Sequence, residues 1–378
     1  MSQVFSRLLW LLALVALFLL GSEFARPLFR PATIQRVLVV AAALLVWAYI
    51  NGQWIFVRFH DLRAGLRVRS LPEADPFTTS DTVLIIAPHP DDETLAAGGQ
   101  IQTALAAGAQ VFVLFLTCGD GFEWNSMVLE RTPLPSASEM LKLGERRIDE
   151  ALEAAAVLGL PLDNLIFLGY PDGGLMRLFL NHYIHPYLSP YTRVNTVPYD
   201  RAHRFGAHYT GKNLERDLSD VITRIAPTIV YAPSPKDAHR DHRAAAYLAM
   251  RLQGERHEEN AVRYYIVHGA YEYPLPKGYF PTLPLYPPPR GRGLSWRRVS
   301  ITPAQVRRKA EAICKHRTQV MVMRRFLLAF ARPNELWSAT AIPIRETIYP
   351  VEQGDLAVVA LEEDTDLIEE GQLDAGGV

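Results

Sequence analysis

Cysteine is scarce in this chain of 378 residues, which contains only Cys118 and Cys314. Two cysteines cannot build a disulfide framework, and we expect both to be buried structural thiols. The sequence also has no Gly-x-Ser-x-Gly elbow, no Gly-x-x-x-x-Gly-Lys-Ser/Thr phosphate loop and no Gly-x-Gly-x-x-Gly after a strand. An excess of basic charge is absent too, because 39 Lys and Arg residues balance 40 Asp and Glu residues. These absences argue against a serine hydrolase, a nucleotide-binding enzyme and a nucleic-acid-binding protein.

Two long apolar runs lie near the amino terminus. Residues 8–20 are wholly apolar, and the apolar run 37–50 continues, after three residues, through 54–57. Each run approaches the roughly 20 residues that cross a bilayer. A signal peptide is the alternative for the first run, although the second would still anchor the chain. We predict a membrane anchor over residues 1–76, with transmembrane helices at about 6–24 and 37–57.

Arginines around these runs favour one orientation of the predicted hairpin. Arginines before the first apolar run and after the second outnumber those between the runs: Arg7, Arg58, Arg63, Arg67 and Arg69 against Arg26, Arg30 and Arg36. Because positive charge is retained on the cytoplasmic side of a membrane, the remainder of the chain is expected in the cytoplasm. Membrane lipids are therefore expected partners of the anchor.

The rest of the chain alternates apolar runs with helix-like segments, which predicts an α/β domain with a mostly parallel sheet between helices, over residues 77–345. The predicted strands are Val83–Ala87, Val111–Leu116, Leu165–Leu168, Ile229–Ala232 and Tyr264–Val267. The predicted helices are Glu93–Ala106, Gly144–Leu158, Leu214–Ile225 and Arg240–Leu252, with at least one more between residues 303 and 330. Residues 346–378 form an acidic tail that we expect to be a solvated extension.

Two long irregular regions interrupt this alternation. Residues 182–209 are rich in Tyr, His and Arg, and residues 273–293 are rich in Pro and Gly. Long loops in a compact domain are either functional lids and binding loops or simple excursions, and the sequence leaves both readings open.

Polar clusters follow two of the predicted strands. His89, Asp91 and Asp92 come directly after the first strand, and the string Asp237-Ala238-His239-Arg240-Asp241-His242 follows the fourth. Because the carboxyl ends of parallel strands lie at one edge of a sheet, the two clusters can meet there. His and carboxylate ligands without cysteine suit a catalytic zinc or similar divalent ion. Taken singly, Asp91, Asp92 and Asp241 could instead cap helices.

The two blocks His89-Pro90-Asp91-Asp92-Glu93 and His239-Arg240-Asp241-His242 resemble the paired motifs of the PIG-L/LmbE-like N-acetylglucosaminyl deacetylases. The resemblance extends over about residues 80–340 and includes Gly144–Arg147 leading into Glu150, and Leu168–Leu175 around Asp172. It implies a Rossmann-like, LmbE-like α/β domain. The predicted membrane segments lie outside what this family shares.

The resemblance also implies roles for individual residues. His89, Asp92 and His242 would bind Zn²⁺, or another divalent ion, and Asp91 would be the general base. A protonated His239 would stabilise the oxyanion, with Asp241 holding its ring. Asp172 and Arg147 would contact substrate, although a turn at Asp172 and an ion pair between Arg147 and Glu150 explain them nearly as well or better. Glu93 is expected to support the site, and His268, at the end of the fifth strand, is a candidate to line the pocket.

These expectations combine into a membrane-tethered, zinc-dependent de-N-acetylase that acts on an N-acetylglucosamine-type sugar. Tethering favours a lipid-linked substrate, because it raises the local concentration of such molecules at the site. Two alternatives stay open. One is a metal-dependent amidase acting on another acylated amine, and the other is a non-catalytic membrane protein that binds glycans.

Overall fold

The computed structural model describes residues 38, 40–47, 59, 62, 64–130, 132, 134–256, 262–270 and 273–341. The predicted span at 6–24, most of the predicted span at 37–57 and the acidic tail lie outside these residues. Residues 40–47 are helical. Among the described residues, no helix combines the length and the apolar character needed to cross a membrane. The predicted boundaries of anchor, domain and tail stay predictions.

A seven-stranded sheet forms the centre of the fold, with the strand order β3-β2-β1-β4-β5-β7-β6. The first five strands in chain order pair in parallel, and the last two are antiparallel. The strands are β1 Thr82–Ala87, β2 Gln110–Thr117, β3 Leu165–Tyr170, β4 Ile229–Pro233, β5 Val262–Tyr265, β6 Trp296–Ser300 and β7 Asn334–Ser338. The prediction of a mostly parallel α/β sheet is confirmed, and β6 and β7 were missed because they are short and carry polar residues.

Among the described residues, eight α-helices follow β1, and residues 64–69 ahead of β1 are helical as well. They are α1 Asp92–Ala106, α2 Glu123–Glu130, α3 Ala137–Leu158, α4 Leu175–Leu180, α5 Gly211–Ile225, α6 Arg240–Arg256, α7 Pro303–Lys315 and α8 Arg317–Leu327. Short 3₁₀ helices lie at Leu162–Asn164, Pro289–Gly291 and Leu328–Phe330. Helix α3 begins earlier than predicted because Ser136 and Glu139 form a capping box. Helices α2 and α4 were not predicted.

Strand β1 is buried on both faces, as its unbroken apolar sequence predicts. Val83, Ile85 and Ala87 pack in one hydrophobic cluster, while Leu84 and Ile86 pack in the other. This alternation follows from the two-residue period of a strand. Cys118 is buried as expected. Cys314 is exposed, so its prediction as a buried thiol was wrong.

The position of β1 in the sheet determines where the polar clusters meet. Strand β1 pairs in parallel with both β2 and β4. Strands β2 and β3 lie on one side of β1, and the chain then crosses to the other side to form β4 and β5. The turn after Ala87 and the loop after Pro233 therefore leave the sheet side by side at its carboxyl edge. Such a switch point is where ligands bind in open α/β sheets.

A buried ion pair fastens the middle of α1 to the rest of the domain. Lys309 Nζ lies 2.5 Å from Glu335 Oε1 and donates to the Leu95 carbonyl oxygen at 2.8 Å. Glu335 also accepts hydrogen bonds from the backbone N–H groups of Gly99 (2.6 Å) and Gln100 (2.9 Å). A Cβ at Gly99 would lie 2.7 Å from the Ile301 side chain, so only glycine allows this approach. These contacts fix the part of α1 that follows its polar first turn.

Lys309→Met tests this attachment. The substitution leaves the Glu335 carboxylate buried without its cation, which should lower the free energy of unfolding by about 3–5 kcal/mol. Urea unfolding followed by circular dichroism measures the change. The exposed Lys212→Met is the control and should stay within about 0.5 kcal/mol of the wild type. A Lys309→Met loss as small as that of the control would contradict a structural role for the pair.

Candidate metal centre and active site

The turn between β1 and α1 holds Asp91 in a strained conformation. Asp91 has a φ angle of 140°, a region that residues with a Cβ rarely adopt. Its backbone N–H donates to Glu93 Oε2 at 3.0 Å, and its carbonyl oxygen accepts from the Leu95 N–H at 2.9 Å. The Asp91 side chain makes no capping hydrogen bond to α1. Without that bond, the prediction that Asp91 caps the helix is wrong. Backbone strain of this kind persists where surrounding contacts enforce it, often at functional sites.

The buried Arg147 side chain stabilises this turn through hydrogen bonds. It is 3% exposed, and its guanidinium donates to the Pro90 carbonyl oxygen (2.7 Å) and to the Gly119 carbonyl oxygen (3.0 Å). Its Nη2 lies 3.7 Å from Asp91 Oδ1. Glu150 accepts instead from the Thr318 hydroxyl at 2.7 Å. Arg147 thus serves as a positioning group for the turn, and the predicted ion pair with Glu150 is wrong. Its predicted contact with substrate stays a prediction.

Asp92 lies between the two histidines that were predicted as ligands with it. Its Oδ2 is 3.2 Å from His89 Nδ1 and 3.1 Å from His242 Nε2. The same oxygen accepts the backbone N–H of His89 at 3.0 Å. All three side chains are buried. The structure therefore brings together the predicted set His89, Asp92 and His242 from both polar clusters.

These donors fit a divalent metal ion. Neither ring nitrogen of His242 has a hydrogen-bond partner among the described residues, although carboxylate oxygens lie within ion-pair distance. Ligands at zinc distances of about 2.0–2.2 Å in a tetrahedron lie about 3.3–3.6 Å from one another, close to the separations around Asp92. Nitrogen atoms of His89, His239 and His242 also lie within 4.8 Å of one another. Nitrogen and oxygen donors without thiolate suit Zn²⁺ or a related ion.

Asp237 is a member of the site that the sequence reading quoted without assigning a role. Its Oδ2 lies 3.2 Å from His242 Nδ1, on the side of the ring away from Asp92. The same oxygen accepts from the backbone N–H groups of Val267 (2.9 Å) and His268 (3.0 Å). A carboxylate on the outer nitrogen of a ligand histidine orients the ring and raises its basicity. The sequence offered one signal for this role, because Asp237 stands five residues before His242 in the same polar cluster.

His239 is oriented by backbone and not by the Asp241 carboxylate, which corrects the predicted pairing. Its Nδ1 accepts the Asp241 backbone N–H at 3.3 Å, which leaves the ring proton on Nε2. Burial, followed by the nearby rings of His89 and His242, holds the pKa of His239 well below its usual range. The ring is therefore neutral, and the predicted imidazolium form is replaced by a neutral donor at Nε2.

The Asp241 carboxylate instead holds the loop after β3. It accepts from the backbone N–H groups of Gly173 (2.7 Å) and Leu175 (3.1 Å), at the start of α4. Its Oδ2 is also 3.4 Å from His89 Nε2. Asp241 is fully buried, and it joins the second polar cluster to the Asp172 loop.

Asp172 lies in a turn beside His89, so the turn reading of its sequence is confirmed, and its predicted contact with substrate stays a prediction. Gly174 N–H donates to the Pro171 carbonyl oxygen at 3.1 Å, which closes a turn around it. Its Oδ1 is 3.0 Å from His89 Nε2. Burial would raise the pKa of the Asp172 carboxyl, but the His89 ring outweighs this and keeps the pKa well below its usual range.

Tyr191, in the Tyr-rich region, borders the same loop. A Cβ at Gly121 would lie 3.0 Å from the Tyr191 ring, and one at Gly173 would lie 3.3 Å from it. Burial and the charge of Asp172 raise the pKa of the Tyr191 phenol. The tyrosine stays partly exposed. Part of the 182–209 region is therefore a wall of the site.

Fold and site together define an α/β protein with a buried cluster of His and Asp side chains, able to hold a metal ion, at the carboxyl edge of its parallel sheet. Residues 84–253 match the family described as PIG-L, GlcNAc-PI de-N-acetylase. The chain carries a PIG-L (LmbE-like) deacetylase family domain, which confirms the resemblance read from its motifs. The match is shorter than the expected 80–340.

Two named relatives illustrate the similarity. A 1D-myo-inositol 2-acetamido-2-deoxy-alpha-D-glucopyranoside deacetylase of Mycolicibacterium vanbaalenii is 38% identical over 92 residues, 23% of this chain and 29% of the relative. A diacetylchitobiose deacetylase of Thermococcus kodakarensis is 27% identical over 179 residues, 47% of this chain and 50% of the relative. The chain spans half or less of the length of these two relatives.

A solved structure is similar at lower identity. The N,N'-diacetylchitobiose deacetylase of Pyrococcus horikoshii, complexed with an inhibitor, is 19% identical, with 74% of this chain and 83% of that chain covered. The TM-score is 0.40. The family assignment rests on the family match and not on this superposition.

Asp237→Asn tests the support of the metal centre. Loss of the carboxylate behind His242 Nδ1 should weaken Zn²⁺ binding by about 10- to 100-fold. Competition with a chromophoric chelator measures the affinity, and a thermal unfolding scan of each variant shows that the fold is kept. The exposed Asp163→Asn is the matched control and should bind Zn²⁺ like the wild type. Equal affinities in both variants would remove Asp237 from the metal site.

Proposed function

We propose that this protein is a zinc-dependent de-N-acetylase that removes the acetyl group from an N-acetylglucosamine-type sugar, releasing acetate and a free amine. The observation that carries the proposal is the division of labour between two adjacent aspartates. Asp92 Oδ2 lies 3.2 and 3.1 Å from ring nitrogens of His89 and His242, while Asp91 stands on strained backbone with its Oδ1 3.7 Å from Arg147 Nη2. A binding protein has no chemical need for the second carboxylate.

Asp91 has the protonation behaviour of a general base. Burial raises the pKa of its carboxyl to about 6, although the charge of Arg147 opposes the rise. A base is most effective when its pKa lies near the working pH. The strained turn, held by Arg147 and Glu93, sets its direction and limits its movement. Asp91 can therefore take a proton from the attacking water and return it to the amine nitrogen as the C–N bond breaks.

The other groups have complementary roles. An ion held by His89, Asp92 and His242 would polarise the amide carbonyl and lower the pKa of the attacking water. His239 presents Nε2–H as a neutral donor to the carbonyl oxygen as negative charge develops there. Asp172 and Tyr191 border the substrate side, where a carboxylate and an aromatic ring can contact sugar hydroxyls and the sugar ring. The reaction class rests on these residues, and the sugar class is supported by the family match.

A lipid-linked substrate is the finer part of the proposal. It is supported by the apolar runs near the amino terminus, which are predicted to tether the domain at a bilayer. A tethered site meets lipid-linked sugars at a higher local concentration than soluble sugars. The membrane orientation predicted from the arginines around the apolar runs would put the site at the cytoplasmic face.

Asp91→Asn separates the proposed base from the metal ligands. The variant should retain Zn²⁺ at the wild-type ratio but lose about 10²- to 10⁴-fold in hydrolysis, because only proton transfer is removed. Metal analysis and amine release are measured on the same samples. His242→Ala is the matched contrast and should lose both metal and hydrolysis. Wild-type turnover by Asp91→Asn would show that the base is wrongly assigned.

Mass spectrometry of a membrane lipid extract tests the substrate class. The purified Zn²⁺-loaded protein should convert one lipid-linked amino sugar into a product lighter by one acetyl group, and Asp91→Asn should not. Consumption of a soluble N-acetyl sugar with all lipids unchanged would overturn the lipid-linked substrate and leave the reaction standing. Hydrolysis of acylated amines that are not sugars, with no sugar consumed, would favour the amidase alternative.

A further inference from the structure

His316 is a buried histidine that belongs to neither of the two motif blocks. It lies between α7 and α8, outside the residues that match the family, and it is 1% exposed. Its Nε2 lies 3.3 Å from the Thr94 hydroxyl oxygen and 3.5 Å from Glu93 Oε1. Both of these residues belong to the first turn of α1, directly after Asp91 and Asp92. His316 therefore contacts the start of this helix from a segment that is distant along the chain.

The Thr94 hydroxyl determines the direction of the hydrogen bonds around His316. Thr94 Oγ1 donates to Glu93 Oε1 at 2.6 Å, which uses the only proton of the hydroxyl. His316 Nε2 must then carry a proton and donate it to the Thr94 oxygen, with Glu93 Oε1 at ion-pair distance. The other carboxylate oxygen, Glu93 Oε2, accepts the Asp91 backbone N–H at 3.0 Å. One connected set of polar contacts thus runs from the His316 ring to the backbone of Asp91.

Helix α3 fixes the segment that carries His316. Glu150 accepts the Thr318 backbone N–H at 3.0 Å and the Thr318 hydroxyl at 2.7 Å, two residues after His316. Arg147, one turn before Glu150 on the same helix, donates to the Pro90 carbonyl oxygen at 2.7 Å. The same helix therefore holds both the turn after β1 and the histidine behind it.

We propose that His316 is a positioning residue that holds Glu93 in place and, through Glu93, fixes the direction of the general base Asp91. The inference rests on the proposed function, because it takes Asp91 as the base, and it adds a residue from outside the family motifs. The Asp91 backbone, with a φ angle of 140°, keeps its strained conformation only while surrounding contacts enforce it. Without the ring, the Glu93 carboxylate loses a neighbouring donor and can turn away from the Asp91 N–H.

Steady-state kinetics of the full Zn²⁺-loaded chain, with N-acetylglucosamine as the probe, test the proposal. His316→Leu should lower kcat about 10- to 100-fold while KM and Zn²⁺ affinity stay near the wild-type values, because only the base is displaced. His316→Gln keeps an N–H donor on the side chain and should restore most of kcat. Val306→Ala is the matched control, because it removes packing from the buried face of α7 but no polar contact. It should lower the melting temperature and leave kcat unchanged.

Hydrogen–deuterium exchange followed by mass spectrometry tests the same contact without substrate. Peptides that cover residues 88–95 should exchange faster in His316→Leu than in the wild type, because the Asp91 N–H loses its fixed acceptor. Peptides from β2 should exchange as in the wild type. The local increase should be absent in His316→Gln and in Val306→Ala.

Wild-type kcat in His316→Leu would overturn the proposal, and so would unchanged exchange at residues 88–95. A loss of kcat that Val306→Ala reproduces and His316→Gln does not restore would also overturn it, since His316 would then contribute to stability alone. Absence of deacetylation by the wild type would count against the proposed function. The exchange experiment would in that case still decide whether His316 holds the Asp91 turn.

Discussion

The contact between the buried Asp92 carboxylate and the rings of His89 and His242 is the one on which the rest of this site depends. A buried carboxylate is costly unless it is paired or coordinates a metal, and here the oxygen lies 3.2 and 3.1 Å from two ring nitrogens. The contact exists only because β1 and β4 are parallel neighbours, so that the turn after one strand meets the loop after the other. Loss of that pairing would leave the two motif blocks apart and the charges uncompensated.

Much of the surrounding structure holds the groups around Asp92 in place. Arg147 donates to the carbonyl oxygens on two loops beneath Asp91, and Asp237 contacts the outer nitrogen of His242. Deeper in the domain, Glu335 accepts from the backbone of α1 and pairs with Lys309. These groups are charged and buried, and burying a charge destabilises the fold unless the group has several polar partners. The site is therefore preorganised by a polar network that extends well beyond the predicted metal ligands.

The sequence was most informative where a pattern is local. The period of apolar residues predicted five of the seven strands, and the adjacency of two motif blocks to strand ends predicted His89, Asp91, Asp92, His239 and His242 as one cluster. It was least informative where partners are distant in the chain. Asp241 was expected to hold His239, yet its carboxylate accepts from the loop at Gly173 and Leu175. An ion pair between Arg147 and Glu150 was expected, and Arg147 supports the Asp91 turn instead, because the direction of a long buried side chain depends on which loops pack around it.

By itself the sequence determined the α/β class and the residue types of the two polar clusters, because strand periodicity and motif spacing are properties of neighbouring residues, and the two motif blocks carried the resemblance to the deacetylases. Tertiary structure alone decided the strain at Asp91, the tautomer of His239, the place of Asp237 behind His242 and the approach of His268 to the donor set. The approach of His268 depends on strands that are distant along the chain and meet where β4 and β5 pair, and the other three depend on backbone and side-chain directions that motif spacing does not give. Distances of 3 to 5 Å between such segments cannot be read from spacing along the chain.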